Sequence, residues 1–166
     1  MWISFDEENY TLIGKDSDEL SIETSPETEQ TKNILGETNF NHNGYMPSLA
    51  VEYAARLEDA IYEPLQDIAD GLLVDDDKIT ASLIVATLTD EVKESDTKSL
   101  TGKGFKVPVR IVVTNDGGGT SGYSIPFTAY ESGHRIQGTV AVKDRKPTFT
   151  AAGTSDTTVD AAKNEE

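Results

Sequence analysis

The stretch KVPVRIVVT, residues 106–114, decides how this sequence folds. Val107, Val109, Ile111 and Val113 alternate with Pro108, Arg110, Val112 and Thr114. A period of two is the mark of a strand with one buried face. Tyr123, Ile125, Phe127 and Ala129 repeat the pattern downstream, and so do Ile136, Gly138, Val140 and Val142. The short segment ESGH, residues 131–134, separates these two runs and carries a glycine, which predicts an antiparallel hairpin between them.

Upstream, KITASLIVATL (78–88) is apolar on both parities. Such a strand is either central in the core or covered on its outer face by another subunit. Shorter strands are expected at DELSIET (18–24) and NILGETNFN (33–41), followed by a loop from about 44 to 58. Only RLEDAIYEPLQDIADGLL (56–73) reads as helix. Ile61, Leu65, Ile68 and Leu72 form one apolar stripe, Asp59 is a candidate N-cap, and Pro64 has to fall in the first turn. The expected fold class is mainly β: an antiparallel sandwich or half-barrel with one packed helix.

The chain has 166 residues, with 14 basic and 30 acidic side chains and a net charge of −16. Gripping nucleic acid needs clustered Lys and Arg to neutralise phosphates, so that class is disfavoured. Without cysteine, thiolate metal sites and cysteine nucleophiles are excluded. The opening MWISFDEENY is acidic where a signal peptide is basic and apolar, and no apolar run approaches a membrane span, so no membrane insertion and cytoplasmic assembly are expected. The charge is uneven: residues 1–100 carry 23 acids and 6 bases, whereas residues 101–150 carry 3 acids and 7 bases. The basic stretch is a docking surface for the acidic part of another copy, or the two signs mix on one folded surface.

Catalytic constellations are thin. Gly117, Gly119 and Gly122 spell GxGxxG, but a strand with proline follows where dinucleotide binding requires a helix. The same segment lacks the final glycine of a nucleophile elbow. His42 and His134 have no partner at a metal-ligand spacing, and Asp75, Asp76 and Asp77 lack the glycine and distal glutamate of a calcium loop. We therefore expect no catalytic residues, no cofactor and no metal. A carbohydrate- or peptide-binding sandwich module stays as an alternative, resting on Trp2 and Tyr62 as aromatics outside the strands. An enzyme with paired carboxylates is a second alternative.

TKNILGETNFNHNGY, the helix IYEPLQDIAD and the run GGGTSGYSIPFTAYESGHRIQGTVAVKDRKPTFT, taken in that order, resemble the major tail protein, or tail tube protein, of phages and prophages of low-GC Gram-positive bacteria. The likeness covers about residues 16–150. It departs at VEYAARLEDA (51–60) and in the polar tail beyond residue 150.

The resemblance implies a domain over 1–150, with an assembly loop at about 41–58 and the helix at about 59–72, followed by a polar tail at 151–166. It implies a β-sandwich that closes six copies into a ring, with the inner sheets joining into a continuous β-barrel and the rings stacked into a hollow tube. The product would be a virion tail, built in the host bacterial cytoplasm and without enzymatic activity. Its partners would be other copies of itself, a tape measure protein in the lumen, and tail terminator and distal tail or baseplate proteins. Double-stranded DNA would pass through without specific binding.

Acids facing DNA within a Debye length of about 8 to 10 Å repel it, which suits a conduit. Strand parity nominates Glu19, Ser21, Glu23, Glu37, Asn39 and Asn41 as lumen-facing; the same residues could instead solvate an outer surface. For subunit or ring contacts the apolar set of the loop region is Phe40, Tyr45, Met46, Leu49, Val51 and Tyr53. A loop folded over its own core is the competing reading.

Overall fold

The computed structural model describes residues 1–15, 20–32, 34–88, 100–119 and 122–153. It is mainly β. The strands are β1 (Trp2–Ser4), β2 (Thr11–Leu12), β3 (Pro26–Lys32), β4 (Thr38–Tyr45), β5 (Ser48–Val51), β6 (Thr80–Thr87), β7 (Leu100–Val113), β8 (Gly117–Gly119), β9 (Gly122–Ser124), β10 (Phe127–Glu131), β11 (Ile136–Lys143) and β12 (Lys146–Ala151). Helix α1 spans Tyr62–Gly71 and the one-turn α2 spans Asp76–Ile79. Eight strands form one antiparallel sheet in the order β12-β11-β7-β6-β1-β2, with β10 and then β5 branching from β7. The sheet curls into a half-barrel.

The 14-residue β7 organises it. One edge pairs with β6; the other pairs with β11 over its first half and with β10 over its second. Pro108 stands at that changeover. Its nitrogen cannot donate, and it faces the gap between β10 and β11, where only its carbonyl is used, accepting from Ser132 N at 3.0 Å. The hairpin expected between residues 123–129 and 136–142 therefore does not form: β10 and β11 lie end to end along β7. Glu131 and Arg135, joined in a two-pronged ion pair of 2.6–2.8 Å, lock the crossover.

The hairpin that does form is β11–β12, whose two-residue turn holds Asp144 and Arg145 both at positive φ. Trp2 Nε1 reaches across to donate to the Arg145 carbonyl at 2.8 Å, tying this turn to β1. Sheet curling needs close backbone approach. A Cβ on Gly138 would strike the Thr150 carbonyl and the ring of Phe149, which lies over the glycine.

Strand β6 is central, and both of its faces are covered within one chain. Ala81, Leu83 and Val85 join the main core, with Ile3, Leu65, Val107, Ile111 and Phe127. Ile84 and Ala86 face a second core with Trp2, Val140, Val142 and Phe149. No second subunit is needed to explain its apolar parity.

Helix α1 starts two residues later than a cap at Asp59 would place it. Such a cap would put Pro64 beyond the first turn, where its missing N–H breaks the ladder; beginning at Tyr62 makes it the third residue. Ile61, Leu65 and Ile68 are buried against the sheet. Leu72 is not: it takes a left-handed conformation (φ 46°) at the helix end and is 83% exposed. The expected loop at 44–58 is also largely strand. β5 pairs with β10, and Tyr53 and Ala55 bond to residues 123 and 125.

Candidate functional site

PETEQTK and TNFNHNGY, residues 26–32 and 38–45, have no apolar period to anchor them to a core. They pair with each other instead, as the two-stranded β3–β4 hairpin, separate from the main sheet. Every residue of β3 is exposed, and so is all of β4 except the half-buried Gly44. This arm joins the body through the Glu23–Ser48 bridge and the bond from Met46 N to Ser25 O. At about 3.3 Å per residue it extends about 20 Å.

Register divides the arm into two unlike faces. Thr28 opposite His42, Gln30 opposite Phe40 and Lys32 opposite Thr38 share one face; Glu27 opposite Gly44, Glu29 opposite Asn41 and Thr31 opposite Asn39 share the other. A bulge between Glu27 and Thr28 returns Tyr45 to the first face, where its ring lies 4.5 Å from that of His42. One face thus carries Phe40, His42 and Tyr45. The other carries carboxylates and amides, and Ile34 and Leu35 stand exposed at the tip.

The sequence-derived assembly set divides in two. Phe40, Tyr45 and Met46 are well exposed on the arm and its root. Leu49, Val51 and Tyr53 are buried in the chain's own core, because β5 pairs with β10 and turns these side chains inward. They are not free for a partner in this fold. Tyr53 acts locally: its hydroxyl donates to Asp59 Oδ2 at 3.1 Å, and burial, reinforced by that carboxylate, raises its pKa.

Of the lumen-facing set, Ser21 and Glu23 are exposed while Leu20 and Ile22 pack on the main core, as parity anticipated, although only Glu23 is in a β-bridge. Asn39 and Asn41 lie on the polar face of the arm, and Glu37 is exposed just before it. Glu19 lies outside the described residues, as does the polar tail from residue 154 on. Sequence reasoning missed Glu27 and Glu29, which complete the polar face. Their alternation with threonine and glutamine was visible, but a strand without apolar residues gives no burial signal.

Elsewhere the chemistry is structural. Gly117–Gly119 pairs with Gly122–Ser124, so the glycine-rich segment is a small antiparallel ladder rather than a phosphate cradle. Among the described residues no group of three or more metal-ligating side chains comes together, and no helix is long and apolar enough to cross a membrane. Trp2 is buried and Tyr62 packs against the core, so neither offers an exposed platform for a sugar. The basic stretch is partly paired within the chain, Lys106 with Glu7 and Arg110 with Asp76, both at 2.9 Å. Compared with known proteins, the chain matches no family model and no curated sequence.

Proposed function

We propose that this chain is a self-assembling structural subunit that forms six-membered rings stacked into a phage tail tube, an acidic conduit through which DNA leaves the particle. The observation that carries the reading is the β3–β4 arm. A lone two-stranded hairpin is marginal in water, and this one leaves both outer edges and both faces without cover. Neighbouring copies supply what is missing: strand edges pair with the arm, the Phe40–Tyr45 face is covered, and the inner sheets merge into a barrel. The Glu27, Glu29, Asn39 and Asn41 face is then left for the bore, where carboxylates repel the phosphate backbone. No catalytic step is part of this role, and tape measure, terminator and baseplate proteins are its partners at the lumen and the ends.

Electron microscopy of the purified full chain, with sedimentation velocity across concentration, tests it. Rings or hollow tubes that grow with concentration are expected. A particle that stays monomeric up to high concentration overturns the reading. In a phage carrying the protein, Glu27→Lys with Glu29→Lys is expected to leave tubes intact and slow DNA ejection.

A further inference from the structure

Resting on that reading, the geometry points to a specific head-to-tail contact: the arm tip of one copy seats in an acid-rimmed apolar cleft beside the end of α1 in the next. The cleft measures about 610 Å³. Phe5, Pro64 and Leu73 line it with apolar surface, Asp67, Asp70 and Asp77 supply acids, and Lys78 is its one cation. Beside it Leu72 and Val74 are 83% and 81% exposed. Leu72 occupies its outward position at a left-handed φ, where glycine would sit without the roughly 1 kcal/mol cost that a side chain incurs there. Local strain that presents a leucine to solvent points to use of that leucine.

The tip has the opposite character in charge and the same in apolarity. Ile34 and Leu35 are strongly exposed. Lys32, the only Lys or Arg between Lys15 and Arg56, lies two residues from Ile34 and makes no ion pair among the described residues. Two aliphatics plus one cation suit an aliphatic floor with a net negative rim. Neither surface complements itself, since two acid rims repel each other and two tips leave Lys32 unmatched. Contact between the unlike surfaces of identical copies is heterologous, and it generates rings or open helical stacks according to whether the rotation closes.

The absence of native cysteine makes the test direct. The full chain carrying both Leu35→Cys and Leu72→Cys, oxidised mildly at assembling concentration and run on a denaturing gel, is expected to give a ladder of covalent oligomers. Each single variant is expected to stay monomeric on the same gel. As a second measure, Lys32→Glu is expected to raise the concentration needed for polymerisation about two- to fivefold, and Asp70→Lys in the same chain to restore it. Dimers from either single variant, or polymers that form normally with no ladder and no charge-swap rescue, overturn this contact and leave self-assembly standing. A wild-type chain that never associates removes the proposed function and this contact with it.

Discussion

The half-barrel and the arm are built from the same kind of ladder, yet one carries its own cover and the other does not. In the body, β6 buries odd residues in one core and even residues in a second, so each parity is fixed by what it touches. In the arm, Phe40 and Asn41 point to opposite sides and both meet solvent. Backbone pairing alone sets its register. The contrast teaches that local pairing can shape a strand without stabilising it. Burial has to come from the same chain, as it does for β6, or from another copy, as we propose for the arm.

The sharpest way to expose the difference is to remove one phenylalanine from each region. Phe127 is 1% exposed, and Phe127→Ala is expected to cost about 3–5 kcal/mol in a urea melt of the unassembled protein. Phe40 is 58% exposed, and Phe40→Ala is expected to move the same melt by less than about 0.5 kcal/mol. It should nonetheless raise the concentration required for polymers about tenfold, as expected of an aromatic anchor. Equal effects of the two changes on the melt would erase the distinction.

Within the body, Gly138→Ala tests whether sheet curling depends on close approach. Its methyl meets the Thr150 carbonyl and the Phe149 ring, and a loss of about 1–3 kcal/mol is expected from the melt. Trp2→Phe removes the bond that ties the β11–β12 turn to β1, with a loss near 1 kcal/mol and faster amide exchange along β12.

The smallest effect concerns Asp6. Hydrogen bonds from Asn9 N and Nδ2, from Ser4 Oγ and from Glu8 N hold its carboxyl well below the usual range. The folded state therefore takes up this proton at lower pH than the unfolded chain. The stabilisation is present above the ordinary carboxylate pKa of about 4 and is lost as the pH falls through the depressed folded value. Melts of wild type and Asp6→Asn should differ slightly at pH 7 and converge in acid, the gap being small because the group is open to solvent.

How much the sequence disclosed follows the same boundary. Where side chains are buried, the pattern was legible: the alternation in 106–114, the double apolarity of 78–88, and Ile61, Leu65 and Ile68 on α1. Pairing partners were less so. Residues 127–131 and 136–143 have the composition of a hairpin, but Pro108 and the Glu131–Arg135 lock favour laying both along β7, and no local pattern encodes a choice between distant partners. Leu49, Val51 and Tyr53 were read as loop residues because the four-residue β5 is too short to display a period. Trp2 was overlooked as core for a similar reason, since β1 has three residues followed by acids. At the candidate site, Asn39 and Asn41 were found by parity. Glu27 and Glu29 were not, because an arm with no buried face gives hydrophobic periodicity nothing to report.

Amide hydrogen exchange of the full chain, compared between dilute and assembling concentrations, tests most directly that the arm takes its order from other copies. The account predicts that amides of residues 26–32 and 38–45 exchange quickly in dilute solution while Val107 and Ile111 are protected, and that the arm becomes protected as polymers form. Protection of the arm that does not depend on concentration, or an arm that stays unprotected inside the polymer, would contradict it.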